Sequence, residues 1–165
     1  MRKFSYALAL AALLLSTNTY AQTVSVATAS AKKAAQPWLY EGSDIPVDDT
    51  WTFGVLPNGL RYAVKKNDVP AGQVSIRVRI DAGALHENND EQGFAHLIEH
   101  LSFRGSTFVP DGEAKRIWQR FGVTFGSDSN AQTTPTQTVY KLDLPNATPE
   151  KLDESVKIIS GMIRN

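Results

Sequence analysis

Residues 74–80 read Val-Ser-Ile-Arg-Val-Arg-Ile, so Val74, Ile76, Val78 and Ile80 fall on one face of an extended chain and polar side chains fall on the other. Alternation this strict specifies a strand with one buried face, because a slip of one residue would expose the whole apolar set. From Glu91 to Phe103 the period becomes helical, with Phe94, Leu97, Ile98 and Leu101 on one stripe. A half-buried strand followed by an amphipathic helix needs a shared core, which directs the chain toward helices packed on a sheet.

The remaining elements extend this reading. Leu60 to Lys66 alternates after a Pro57-Asn58-Gly59 turn, and the short Gly-containing loop that follows predicts antiparallel pairing with 74–80. A second helix is predicted from Gly112 to Phe121, carrying Ile117 and Trp118, with strands at Val123–Phe125 and Thr138–Leu144. Pro145-Asn146 ends the last strand, and Thr148 is a suitable N-cap for a final helix with Leu152, Val156, Ile159 and Ile163 at helical spacing. The order strand, strand, helix, helix, strand, strand, helix predicts an α+β fold with a mainly antiparallel sheet packed against helices.

At 165 residues the chain has room for one domain or an incomplete piece of a larger one. Equal numbers of basic and acidic residues, 17 of each, leave no electrostatic footprint for nucleic acid. The absence of cysteine excludes a disulfide scaffold, a thiolate metal site and a cysteine nucleophile, so any metal must be held by nitrogen and oxygen. At the N-terminus, Arg2 and Lys3 precede an apolar run from Phe4 to Leu15, and Thr19-Tyr20-Ala21 supplies small residues where a signal peptidase reads. That run is shorter than the ~20 residues a bilayer span takes. Residues 1–21 therefore read as a cleaved signal peptide, the alternative being an uncleaved leader that anchors the chain. Residues 22–36, small and polar, read as a flexible tether. The folded part is expected to begin near Pro37-Trp38, and Pro46, Asp48 and Asp49 mark an irregular lead-in.

The chemistry concentrates at His96-Leu97-Ile98-Glu99-His100. On a helix, His96 and His100 lie one turn apart on one side with Glu99 beside them, and the apolar stripe lies roughly opposite. That geometry predicts that the apolar face anchors the helix while the other presents two imidazoles and a carboxylate. Two imidazoles at i and i+4 can direct nitrogens at one zinc ion, leaving Glu99 free to act as general base on an activated water. A plain solvated helix face would read the same way from five residues alone.

With its surroundings the pattern resembles the pitrilysin-type, inverted-motif zinc peptidases of family M16. The stretches that carry the resemblance are LPNGLRYAV at 56–64, VSIRVRIDAGALHE at 74–87, GFAHLIEHLSFRGS at 93–106 and GSDSNAQTTPTQTVYKLDLP at 126–145. The resemblance implies a metallohydrolase domain, Zn²⁺ held by His96 and His100, and Glu99 as general base. It also implies that Asn130-Ala131 lies on an exposed strand edge, where a peptide adds as an extra strand. Residues 37–165 then form the N-terminal part of the catalytic domain of an exported zinc endopeptidase, in a bacterial periplasm, that acts on short or unfolded polypeptides. The family's third zinc ligand, a glutamate roughly 75 residues beyond the motif, would fall past Asn165. The domain thus looks incomplete at its C-terminus, and a C-terminal remainder or second peptidase-like subunit is the expected partner. The alternative is a non-catalytic peptide-binding or assembly subunit of the same fold.

Other candidates carry less. Phe103 is read either as a wall of the site or as ordinary packing, and Trp118 as core rather than substrate platform. His86 is read as structural or exposed. Gly105 is expected to supply a left-handed residue that ends the motif helix. Glu150, Asp153 and Glu154 are poor substitutes for the third ligand, and Asn146-Ala147-Thr148 matches a glycosylation sequon that often arises by chance.

Overall fold

A computed structural model of the chain describes Trp38 and residues 40–164. The signal peptide assigned to 1–21, the tether at 22–36 and Pro37 lie outside the described residues. In the lead-in, the rings of Trp38 and Tyr40 stack with centroids 6.3 Å apart. Among the described residues no helix is long and apolar enough to cross a membrane.

The elements from Asp48 onward are β1 (Trp51–Val55), β2 (Arg61–Lys65), β3 (Val74–Ile80), a short 3₁₀ turn at Ala84–His86, α1 (Phe94–Ser102), α2 (Glu113–Arg120), β4 (Ser129–Thr133), β5 (Thr138–Leu144) and α3 (Pro149–Arg164). Antiparallel strands in two sheets accompany three helices, so the α+β expectation holds.

The expected pairing of β2 with 74–80 does not hold. Strand β2 instead pairs antiparallel with β1, a strand just after the irregular lead-in that the sequence pattern does not predict. The turn before β2 explains this. Leu56 N–H donates to Leu60 O at 2.8 Å and Gly59, at φ +89°, donates to Leu56 O at 2.8 Å, closing a local hairpin. The loop at 56–60 is shorter than the one at 66–73 that pairing with β3 would close, and so costs slightly less chain entropy.

Strand β3 pairs with β5, which is central in the order β3-β5-β4. The register sets Val74 opposite Leu144, Ile76 opposite Leu142 and Val78 opposite Tyr140, so apolar residues of both strands share one face. Burial along β5 alternates strictly, with Thr138, Tyr140, Leu142 and Leu144 inward. Tyr140, Leu142 and Leu144 join Ile117 and Trp118 of α2 and Ile158, Ile159 and Met162 of α3 in one core.

Segment 123–125 is not a strand; Phe125 makes only an isolated bridge with Ser129. Asp128 closes a tight loop there, accepting from Thr124 N–H at 2.8 Å through its side chain while its own N–H donates to Thr124 O at 2.9 Å. Val123 is apolar because it is buried in the core, not because it joins a ladder.

Helix α3 begins as expected, with Thr148 Oγ1 accepting from Lys151 N–H at 3.3 Å. Its inward face is shifted from the expected stripe: Val156 is exposed while Ser155, Ile158, Ile159, Gly161 and Met162 are buried. Trp118 Nε1–H donates to Ser155 Oγ at 3.2 Å, which turns that face inward. Gly161 has no Cβ because one would stand 2.6 Å from Ser106 Oγ.

Candidate metal and peptide site

Helix α1 starts three residues later than its apolar period suggested. Gly93 sits at φ +92°, where its missing Cβ costs nothing, and ends the preceding turn. A glycine cannot cap a helix with its side chain. Glu87 does so from a distance: its two carboxylate oxygens accept from Gly93 N–H and Ala95 N–H, each at 2.7 Å. Hydrogen bonds from Ala95 and Gly93 hold this carboxyl below its ordinary pKa, as suits an anion at a helix N-terminus. At the other end the helix closes on Phe103, whose N–H donates to His100 O. Gly105, expected in the left-handed region, is not among the positive-φ glycines. Its smallness serves a close approach instead, since a Cβ there would lie 3.0 Å from Asp111 N.

Helix α1 presents its imidazoles as expected, but among the described residues its apolar stripe is not the face that anchors it. Phe94, Leu97, Ile98 and Leu101 are 52%, 52%, 59% and 53% exposed, whereas Glu99 is 7% exposed. Ala95, Glu99 and Ser102, spaced i, i+4, i+7, turn toward the sheet. Thr133 Oγ1 on β4 donates to Glu99 Oε2 at 2.5 Å. Ser102 Oγ donates to Ile98 O at 2.8 Å and lies 2.9 Å from Tyr140 OH, a hydroxyl pair in which either oxygen can be the donor. Burial pushes the Tyr140 phenol pKa up, Ser102 opposes the shift and the Glu99 carboxylate adds to it. A carboxylate, a hydroxyl and a phenol find partners between α1 and the sheet, and among the described residues this polar face is the inward one.

His96 and His100 are both exposed, and their Nε2 atoms converge to 3.0 Å. Two nitrogens at the usual zinc distance stand about 3.4 Å apart in a tetrahedron, so this donor pair fits zinc with a small adjustment. His96 also lines a cleft with Ala84, Thr133, Thr134 and Pro135. Among the described residues no group of three or more His, Cys, Asp or Glu gathers to hold a metal. Glu150, Asp153 and Glu154 lie on α3 and form no such group with the histidines.

Asn130 and Ala131 lie on β4, at the edge of the three-stranded sheet. Asn130 is exposed and its Oδ1 accepts from Ala131 N–H at 2.9 Å, a bond to its own neighbour. Ala131 shares the inward face with Thr133, so one short strand carries both the edge segment and the residue that touches Glu99.

The lesser candidates resolve on packing grounds. Phe103 packs edge-on against Phe125 at 6.3 Å and beside Tyr140 at 6.0 Å, at the border of the core. Trp118 is buried core. His86 Nδ1 accepts from Gly83 N–H at 3.2 Å, a structural role. The sequence reading missed Thr133 and Glu87. For Thr133 the available signal was its register with Ala131; for Glu87 it was a carboxylate shortly before a helix whose N-cap is glycine.

The model of the insulinase family, peptidase family M16, matches residues 62–165. The probable zinc protease PqqL of Haemophilus influenzae is 37% identical over 127 residues, covering 77% of this chain and 14% of that protein. The chloroplastic stromal processing peptidase of Pisum sativum is 34% identical over 121 residues, covering 73% of this chain and 9% of that protein. The crystal structure of the first half of the periplasmic protease PqqL from Escherichia coli superposes with a TM-score of 0.68 at 34% identity, covering 72% of this chain and 25% of that one. The chain thus spans a small fraction of the length of these relatives. With the two convergent histidines, the buried glutamate and the edge strand all inside the matched residues, the chain belongs to the insulinase family, peptidase family M16.

Proposed function

We propose that this chain is the N-terminal part of the catalytic domain of an exported zinc metalloendopeptidase, a longer polypeptide that hydrolyses short or unfolded peptides. The observation that carries the proposal is the pair of Nε2 atoms converging at 3.0 Å beside a buried carboxylate anchored by one hydroxyl. His96 and His100 would supply two of the zinc ligands, and the third is expected from a later helix beyond Asn165. When bound, zinc supplies a Lewis acid for the peptide carbonyl and acidifies water. Glu99 takes the proton of the attacking water at its carboxylate and passes it to the leaving amine nitrogen. The free edge of β4 at Asn130-Ala131 holds the peptide extended through main-chain hydrogen bonds, which makes recognition largely indifferent to sequence.

Residues 1–21 would direct export, and the periplasmic location of the related E. coli protease supports the same compartment here. The remainder of the peptidase, or a second peptidase-like subunit, would complete the enclosure of the substrate.

In the complete polypeptide, Glu99→Gln should retain zinc and lose hydrolysis of an unstructured peptide by ~10² to 10⁴ in rate. Zinc content and turnover are measured on one preparation. Full activity in that variant would remove Glu99 from the reaction. The second reading, a peptide-binding subunit without catalysis, draws on the open β4 edge. It requires that the unmodified protein bind peptide and hydrolyse none.

A further inference from the structure

The Glu99 carboxylate is held at one oxygen. Thr133 Oγ1 donates to Oε2 at 2.5 Å, and among the described residues Oε1 accepts no hydrogen bond. A threonine hydroxyl has a single proton. Its donation to Glu99 leaves nothing to give Thr138 Oγ1, 3.4 Å away, whose own proton goes to Ala82 O at 3.0 Å. Each hydroxyl of this pair therefore has one committed acceptor.

The donor is presented from a rigid place. Thr133 is in register with Thr138 at the end of the β4–β5 ladder. The turn that joins the strands is closed by Thr134 N–H to Gln137 O at 2.8 Å. The same turn is clamped from outside, with Leu85 N–H donating to Pro135 O at 2.8 Å. That contact depends on Gly83, where a Cβ would fall 2.0 Å from Thr134 O.

We propose that Thr133 is a positioning residue for peptide hydrolysis, fixing the rotation of the Glu99 carboxylate from the same strand whose edge receives the peptide; this rests on the peptidase reading above. The terminal torsion of a glutamate is broad and nearly two-fold. One anchored oxygen narrows it and leaves the other oxygen for the proton in transit. Without the hydroxyl, the carboxylate spends its time away from the productive geometry. The β4 backbone, which would hold the peptide, is unchanged. The loss therefore falls on kcat and not on KM.

The test compares Thr133→Val, Thr133→Ala and Thr133→Ser with Glu99→Gln in the complete polypeptide, reading kcat, KM, zinc content and thermal midpoint on an unstructured peptide. Thr133→Val and Thr133→Ala should lower kcat by about 10- to 100-fold with KM within about twofold and zinc retained, and Thr133→Ser should restore most of kcat. Thr133→Ala carries the comparison where Thr133→Val does not fold. A hydroxyl-free variant with undiminished kcat, while Glu99→Gln is inactive, overturns the positioning role alone. So does a loss confined to KM or to zinc content, or a Ser variant no better than Ala. An active Glu99→Gln instead removes Glu99 from the reaction and with it the group Thr133 would position, whereas an unmodified protein that hydrolyses no peptide overturns the peptidase reading on which the role depends.

Discussion

Helix α2 buries Ala114, Ile117 and Trp118, whereas α1, just before it in the chain, buries Glu99 and leaves Phe94, Leu97, Ile98 and Leu101 more than half exposed. Both helices are amphipathic. One meets the sheet through its apolar residues and serves stability; the other meets it through polar residues and serves the site. In α2 the apolar contact decides the inward face, while in α1 the buried carboxylate must keep a partner, because an unpaired carboxylate away from water is costly. The lesson is that hydrophobic period identifies a helix without identifying the side it turns inward.

Substitutions on the two helices test this contrast. The largest effect is expected at Trp118→Ala, which removes a 1%-exposed side chain and the hydrogen bond to Ser155. It should cost about 3–5 kcal/mol, read by urea denaturation of this chain followed by far-UV circular dichroism. A cost under about 1 kcal/mol would show that α2 is not the stabilising partner.

Next comes the polar attachment of α1. Glu87→Ala leaves Gly93 N–H and Ala95 N–H without their acceptor. Hydrogen exchange at those two amides should quicken several-fold while the β5 amides keep their protection. Equal quickening in β5 would mean that the carboxylate supports the whole fold and not the helix start.

A smaller effect concerns the sheet face on which Asp143 lies between Arg77 and Lys141. Burial pushes the Asp143 carboxyl up, but hydrogen bonds from Arg77, Lys141 and Ser75 outweigh it and bring the pKa down to about 2. An unfolded aspartate titrates near ~3.9. The stability this group contributes is therefore fully present above that value and is lost as pH falls toward about 2. Asp143→Asn should flatten the decline of the chemical-denaturation midpoint between those two pH values. An unchanged slope would assign the acid sensitivity to other carboxylates.

The smallest change is expected at Leu97→Ala, on a side chain 52% exposed in the middle of α1. Its effect on urea stability should stay within about 0.5 kcal/mol. A cost approaching that of Trp118→Ala would erase the distinction between the two helices.

Much of the site was legible in the residues because its geometry is local. His96 and His100 are one helical turn apart, and any helix brings their nitrogens to one side. Strand β5 was legible end to end because its alternation and the Pro145-Asn146 stop are both local signals. The pairings were not. Strand β3 was expected beside β2, and its pairing with β5 reflects matched apolar faces in a register that no stretch of either strand contains alone. The expected strand at 123–125 failed because a buried Val123 and a ladder valine look alike in sequence, and only the Asp128 turn tells them apart. Gly105 likewise was read as a backbone conformer when its reason is a neighbour met from a later segment.

By itself the sequence determined the three helices and strands β2, β3 and β5, the absence of thiolate chemistry and the side of α1 on which two imidazoles and a carboxylate gather, since each follows from composition or from spacing along one short segment. Tertiary structure alone decided that Glu99 turns to the sheet while both imidazoles stay exposed, that β4 supplies the hydroxyl for Glu99, and that Glu87 closes the start of the helix. Those outcomes are contacts between segments far apart in the chain. Their geometry is set by the competition among all faces for burial and for hydrogen-bond partners, which no local period records.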